Sequence, residues 1–391
     1  MKNIAVLLNG SIQNDSRVIK EITTMSSIAK VDLFYINGKK TDSQIFSNNV
    51  RLFSIEHKET LRTKIIRNSC FQNEFLFFVE EVVKQKINYN FVWANDLPTL
   101  KPALKIKKKI GAKVIYDSHE IFIGTLNQFF PDKAKWYKKI LHKTLLFLMK
   151  ICGSSAEKRM VKKIDTFITT GDSFSNHFKS KFGLDDIKIV INCPRKTEIL
   201  KAFDFRKEYN LPADSFIVIF QGCLNKGRAL EEMIEAFKYV NDNVILIVLG
   251  NGMLKPLLIE LTQKNKLTDK IFFKDAVPSK DLLTYTKGAD LGINLQSSIN
   301  ISKHLASANK LFEYMHAGIP IVASEVPENE LVLNEYKTGV LVKNIPQQIA
   351  EAINKMSQSD LSKYKANCSK ATQEYNWENQ EKVILEIINT N

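Results

Sequence analysis

Strand-like and helix-like runs alternate along the whole of this 391-residue chain, and that alternation leaves few folds open. In the first half, short runs rich in β-branched and aromatic residues recur: NIAVLL, VDLFYI, VRLFSI, FVWAN, KVIYDS, TFITT and KIVIN. Between them lie stretches with apolar residues at helical spacing, such as 16–27, 97–110 and 174–182. The pattern breaks at Pro194, within NCPRKTEI, and restarts with FIVIFQG, VILIVLG, KIFFKD, DLGINL, IPIVAS and TGVLV. Strands separated by helices pair in parallel, because a parallel neighbour can be reached only by a crossover. A single core stops growing at roughly 250–300 residues, so a chain of this length predicts two. The expectation is two doubly wound α/β domains, 1–195 and 196–372, joined by a linker near 192–199. A helical stretch at 373–391, carrying Trp377, follows them.

Composition narrows the class. With 44% hydrophobic and 25% charged residues the chain is globular, and 15 Gly and 10 Pro are too few for a collagen-like or low-complexity protein. Cys70, Cys152, Cys193, Cys223 and Cys368 show no C-x-x-C spacing, so neither a zinc site nor a disulfide framework is expected. The apolar run of MKNIAVLLNGSI is too short for a signal peptide, which points to the cytoplasm. The net charge of +14 is lopsided: residues 1–195 hold 33 Lys and Arg against 18 Asp and Glu, whereas the remainder is nearly balanced. Residues 133–163, from Lys133 to Lys163, hold ten of those bases and one acid, Glu157, beside Trp136, Tyr137 and LLFLMKIC. Such a stretch suits peripheral contact with an anionic membrane surface, on the inner face. It is well short of the ~20 apolar residues of a membrane span. The alternative is a pair of core helices with a solvated lysine face. No nucleic-acid-binding motif accompanies the charge, so nucleic acid is not an expected partner.

In doubly wound sheets ligands bind beyond the carboxyl ends of the strands. With two such domains, the cleft between them is the expected site. FIVIFQG ends in Gly222, and Lys226 and Arg228 follow in the loop before the next helix, a combination able to cradle a diphosphate. VILIVLG runs into Gly250 and Gly252, which admit close approach of a ligand but also simply make tight turns. In SANKLFEYMHAGIPIVAS, Ser307 can cap a helix and Gly318 can end it in the left-handed conformation. Lys310 then falls in the first turn, where the helix dipole repels a cation, and Glu313 lies on the same face. An ion pair between the two would be worth only about 0.3–0.5 kcal/mol. A ligand offering a phosphate to Lys310 and a ribose diol to Glu313 removes the conflict with the dipole. Three such loops on one sheet edge predict a nucleoside-diphosphate pocket in the second domain. In the first domain Asn9 and Gly10 follow the first strand, while Asp117, His119 and Glu120 close KVIYDS. His119 at a strand edge can serve as an acid/base group or as a partner for a sugar hydroxyl, although a lone histidine is more often structural. Asp96, in WANDLP, is expected to cap its helix. G-x-S-x-G, H-E-x-x-H, Walker A and early G-x-G-x-x-G sequences do not occur, which argues against hydrolase, zinc peptidase, P-loop and NAD chemistry.

The segments NDSRVIKEI, WANDLPTLKPA, KVIYDSHEIF, FQGCLNKGRALEEMIEAF, VLGNG, ADLGINL and NKLFEYMHAGIPIVAS resemble, in order, the retaining glycosyltransferases of family 4, the glycosyl transferases group 1. The resemblance covers nearly the whole chain and is most specific in the last segment. It implies the GT-B fold, in which two Rossmann-like domains face each other across a cleft and a C-terminal helix crosses back to the N-terminal domain. It implies transfer of a sugar from a nucleoside-diphosphate sugar, with UDP the first choice, to a glycan or lipid-linked acceptor in surface polysaccharide or glycoconjugate synthesis. Neither a metal nor another cofactor is implied. Arg228 and Lys310 match residues on the donor diphosphate, and Glu313 matches the residue on the donor ribose. The main chain near Val277 and Pro278 matches the base-holding loop, with Gly222, Lys226, Gly250 and Gly252 on the donor side. Ser307, Ala308 and Asn309 are left to meet the donor sugar. Asn9, Gly10, His119 and Glu120 fall on the acceptor and sugar side, with His119 the candidate catalytic group. Two positions depart from the pattern: the first motif glutamate falls on Leu305, and a basic residue after the strand-end glycine falls on Cys223. The chain thus resembles the subgroup lacking that first acid. The departures keep open a non-catalytic glycosyltransferase-like subunit. A GT-B nucleotide-sugar 2-epimerase is the other alternative, with only His119 and Glu120 to serve its chemistry.

Overall fold

The structure, a computed structural model, describes residues 1–46, 48–57, 74–126, 136–197 and 201–390. Cys70, Lys133, Lys135 and positions 198–199 of the expected linker lie outside the described residues.

All strand pairings among the described residues are parallel. The first sheet contains β1 (Lys2–Leu8), β2 (Ala29–Ile36), β3 (Val50–Ile55), β4 (Phe91–Asn95), β5 (Lys113–Ser118), β6 (Thr166–Thr169) and β7 (Lys188–Ile189), ordered 3-2-1-4-5-6-7. The second contains β8 (Phe216–Gln221), β9 (Val244–Leu249), β10 (Ile271–Lys274), β11 (Leu291–Asn294), β12 (Ile321–Ser324) and β13 (Gly339–Val342), ordered 10-9-8-11-12-13. Central strands such as β9, VILIVL, are apolar at every position because helices cover both faces of a parallel sheet. Strand order reverses between β1 and β4 in one sheet and between β8 and β11 in the other. The carboxyl ends at these switch points are where ligands of doubly wound sheets bind.

Six helices matter for the sites: α1 (Ser16–Ser26), α2 (Asp96–Ile110), α3 (Trp136–Val161), α4 (Leu230–Ala236), α5 (Asn309–Ala317) and α6 (Trp377–Thr390). Asp15 caps α1 by accepting from Val18 N at 3.1 Å, and Gly111, at φ 77°, ends α2. Expected strand KIVIN shrinks to the two residues of β7 because its backbone finds other partners. Ile191 N, for one, donates to Gln380 Oε1 in α6 at 2.8 Å.

The chain divides into two compact units. One holds residues 1–191, Asn300–Ser302 and the chain from Gln380 onward; the other holds Asn192–Ile299 and Lys303–Asn379. α6 therefore begins in the second unit, where the fully buried Trp377 donates its backbone N–H to Pro194 O at 2.9 Å. The rest of α6 belongs to the first unit and buries Ile384, Ile387 and Ile388 there. Among the described side chains of α3, those buried are Gly153, Ala156, Glu157 and Val161. Its earlier turns expose Ile140, Leu145, Phe147, Leu148 and Ile151, so this part of the basic stretch is not the core helix that one alternative required. Among the described residues no helix is long and apolar enough to cross a membrane.

Candidate active site

In the second unit, the turns after β8 and β9 are built on glycines in the left-handed region, Gly222 at φ 122° and Gly250 at φ 151°. A Cβ on Gly250 would sit 2.0 Å from Gly222 O, so the two turns touch backbone to backbone. A Cβ on Gly222 would lie 3.4 Å from Arg228 Nη1 and 3.8 Å from Lys310 Nζ; both cations converge over this turn. Gly252 packs as closely, its would-be Cβ 2.4 Å from Leu224 O. Lys226 is exposed in the same loop, before α4, and Cys223 is exposed beside Gly222.

Lys310 is the second residue of α5, only 6% exposed, and its Nζ has no hydrogen-bond partner. The ammonium lies 3.6 Å from the centroid of the Phe220 ring. Burial pulls the Lys310 pKa well below its ordinary value and Arg228 pulls it further; Glu313 and Cys223 work the other way. Ser307 does not cap α5. The extended residue before the helix is Ala308, no side chain caps it, and Ser307 Oγ is itself buried without a partner. Asn309, the first helical residue, is exposed. Gly318 ends α5 at φ 73°, in the left-handed conformation its sequence position predicted.

Glu313 is held by a contact the sequence did not reveal. Gln221 Nε2, at the end of β8, donates to Glu313 Oε2 at 2.5 Å while Gln221 Oε1 accepts from Thr286 Oγ1 at 2.7 Å. The one available signal was a polar residue closing an apolar strand just before a glycine. Tyr314 fixes α5 on the sheet: its hydroxyl donates toward Ile219 O at 3.2 Å and Ile293 O at 3.1 Å, and its ring fills the space above Gly292. Val277, half-buried, and Pro278, exposed, lie in the loop between β10 and the helix Ser279–Lys287. Leu305 is half-buried.

In the first unit, Asn9 and Gly10 follow β1 and are half-buried; the space beside Gly10 is open, with nothing within 4 Å of a would-be Cβ. His119 follows β5 and meets a group of buried charges. Arg17 Nη2 donates to Asp117 Oδ1 at 2.8 Å, and Arg17 Nε lies 2.9 Å from Glu21 Oε1. Trp93 Nε1 donates to Asp117 Oδ2 at 3.3 Å. His119 Nε2 is 3.4 Å from Asp117 Oδ2, and Nδ1 is 3.8 Å from Asp96 Oδ2. Asp96 does not cap α2 as its position suggested. Its backbone is left-handed, at φ 61°, and its Oδ1 accepts from the backbone N–H of His119 at 2.9 Å. Glu120 is half-buried, and its carbonyl accepts from Ser118 Oγ at 3.0 Å.

Burial opposes ionisation of Asp117, but Arg17 and His119 prevail and hold its carboxyl well below the usual range. Burial pushes Glu21 well up, only partly offset by Arg17. For His119 burial favours the neutral ring, yet Asp117 and Asp96 prevail and lift it to about 10. In that state the ring carries protons to donate and is not poised as a base, which is compatible with both an acid and a partner for an oxygen acceptor. Glu21, Asp117 and His119 also bring metal-ligand atoms within 4.8 Å of one another. The Arg17 guanidinium, touching both carboxylates, already stands where a cation would.

Residues 202–375 match the family described as "Glycosyl transferases group 1". The chain is 22% identical to chitobiosyldiphosphodolichol beta-mannosyltransferase of Candida albicans, over 90% of this chain and 79% of that protein. Among solved structures it is similar to a sucrose-phosphate synthase from Thermosynechococcus elongatus, with TM-score 0.76 and 16% identity, covering 100% of this chain and 99% of that one. Anabaena HepE, solved in complex with UDP and glucose, superposes with TM-score 0.75 at 14% identity and full coverage of both chains. The protein therefore has the two-domain GT-B fold, and its second half is similar to the glycosyl transferases group 1, a combination that supports a GT-B glycosyltransferase.

Proposed function

We propose that the protein transfers a sugar from a nucleoside-diphosphate sugar, a UDP-sugar, to a glycan or lipid-linked acceptor, with retention at the anomeric carbon and without a metal. The observation that carries this reading is Lys310, a buried ammonium without a hydrogen-bond partner, beside Arg228 and above the left-handed turn at Gly222. Two cations and the start of α5 neutralise charge that grows on a departing diphosphate, the task a metal performs in other transferases. Glu313, oriented by Gln221, takes the ribose diol. UDP is favoured because HepE, which shares this fold, was solved with it. The first unit takes the acceptor, and the exposed apolar residues of α3 with their lysines rest on an anionic membrane where a lipid-linked acceptor would be found.

Calorimetry with UDP, GDP, ADP and CMP tests the donor site. UDP is expected to bind, and Lys310→Ala to weaken it at least about tenfold, the loss of one charge-assisted contact. Failure of all four nucleotides to bind would refute the donor site and favour a non-catalytic subunit. Once a donor is known, the anomeric proton coupling of the product, read by NMR, tests retention.

A further inference from the structure

Lys310 Nζ, buried and without an acceptor, would be more stable in water, so the backbone that carries it has to be held in place. The helix does not supply that restraint at its own start, because no side chain caps α5 at Ala308. Tyr314 fixes α5 to the sheet, but one turn further on. The chain entering α5 is held instead from beyond β11.

Gln296, two residues past the end of β11, is 8% exposed and uses all four of its hydrogen-bonding groups. Its backbone N–H donates to Ser324 Oγ, at the end of β12, at 2.9 Å. Its backbone carbonyl accepts from Asn344 Nδ2, just past β13, at 2.8 Å. Its Oε1 accepts from Nδ2 of Asn294, the last residue of β11, at 3.4 Å. That leaves Nε2, which donates to Ala306 O at 3.2 Å, four residues before Lys310. The frame behind Gln296 is closed. Ser324 Oγ donates to Asn344 Oδ1 at 2.5 Å. Asn329, in the helix Pro327–Tyr336, accepts from Asn294 Nδ2 at 3.2 Å and donates to Ser324 O at 2.8 Å. Polar groups that satisfy one another inside a protein make a stiff frame. Here the frame ties the carboxyl ends of three strands together and sends its remaining donor to the entrance of α5.

We infer that Gln296 is a positioning residue: by holding Ala306 O it fixes the entrance of α5 and keeps Lys310 at the Gly222 turn. The inference rests on the proposed donor site only for what Lys310 meets there, an oxygen of the diphosphate.

Hydrogen exchange of the full-length chain without nucleotide reads the tether. Gln296→Met keeps the length of the side chain and removes both amide groups. The first amide bonded within α5, Leu311 N–H to Ala308 O at 3.0 Å, should then exchange at least about tenfold faster, while the amides of β8 and β9 keep the parent's rates. Gln296→Asn keeps the amide but is one methylene too short to reach Ala306 O; it should loosen the same amide, and it decides if the Met variant does not fold. Unchanged exchange at Leu311 would overturn the inference. Calorimetry with UDP reads the consequence. Gln296→Met should weaken UDP about threefold or more in the parent and much less in Lys310→Met, because both changes act on one contact. Equal losses in the two backgrounds, or none in either, would make Gln296 a merely structural residue and overturn its positioning role. A parent that binds none of the four nucleotides would refute the donor site, whereas the exchange experiment decides the tether without any nucleotide.

Discussion

Lys310 sits in the first turn of α5 against the Phe220 ring, where the protein offers its Nζ no hydrogen-bond acceptor. Burying such a group costs stability in the free protein, and a bound phosphate would recover it. Lys310→Met keeps the length of the stem and removes the charge. Its melting temperature should equal or exceed that of the parent while its affinity for UDP falls at least about tenfold; calorimetry and thermal melts on one preparation check both halves. A lower melting temperature with unchanged affinity would make Lys310 structural. Gly250→Ala should behave in the opposite way. Its φ of 151° and a would-be Cβ 2.0 Å from Gly222 O make the change destabilising by more than about 2 kcal/mol, measurable by urea unfolding. Lys310, Glu313, Gly222 and Gly250 were visible in the sequence because a charge at a helix start and a glycine at a strand end are local signals. Gln221 and Arg17 were not. Their partners, Glu313 and Asp117, lie 92 and 100 residues away, and no local pattern announces such a pairing. Asp96 was misjudged for the same reason, since a cap looks local but its carboxylate was taken by His119, 23 residues on.

Among the elements, β4 and β5 coincide with the runs FVWAN and KVIYDS and are buried almost throughout, whereas β3 coincides with VRLFSI although it is only partly buried, its β-branched and aromatic residues being the signal. α3 shows where that logic stops. LLFLMKIC reads as interior, yet Phe147 is 63% exposed and Leu148 53%. Ile140, Phe147 and Ile151 are spaced by seven and four residues, so they share one face of the helix, and Lys143, Lys158 and Arg159 are exposed around them. An apolar face left in water beside cations fits the interfacial region of an anionic bilayer. The protein should co-sediment with phosphatidylglycerol vesicles at low salt, and adding 0.5 M NaCl should release part of it. Phe147→Asp with Leu148→Asp should abolish sedimentation while leaving UDP affinity unchanged, because both residues lie outside the unit proposed to hold the donor. Equal sedimentation of parent and double variant would remove α3 from membrane contact.

Taken as a whole, the molecule places its two most perturbed cations in different units, and their shifts run in opposite directions. His119 in the first unit is lifted to about 10, so between 6.5 and 10 the folded unit holds a proton that the unfolded chain has released. Its contribution to stability is complete below 6.5 and is lost as pH rises through that window. Lys310 in the second unit is held well below 10.5, so between its folded value and 10.5 the unfolded chain holds the proton that the folded unit lacks. Stability of the second unit therefore grows as pH rises through that range. Each unmatched proton changes the unfolding free energy by at most about 1.4 kcal/mol per pH unit. As pH rises from 6.5 to 10, hydrogen exchange of the slowest amides, corrected for intrinsic rate, should show β1, β4 and β5 losing protection, whereas β8, β9 and β11 should gain it on the approach to 10.5. Lys310→Met should flatten the trend in the second unit and leave that in the first. Slopes of the same sign in both units would mean that one of the two charge assignments is wrong, and the Lys310→Met trace identifies which. Bound UDP should also flatten the second unit's slope, because a diphosphate beside Lys310 restores the proton that burial removes, and the trend in His119's unit should not respond.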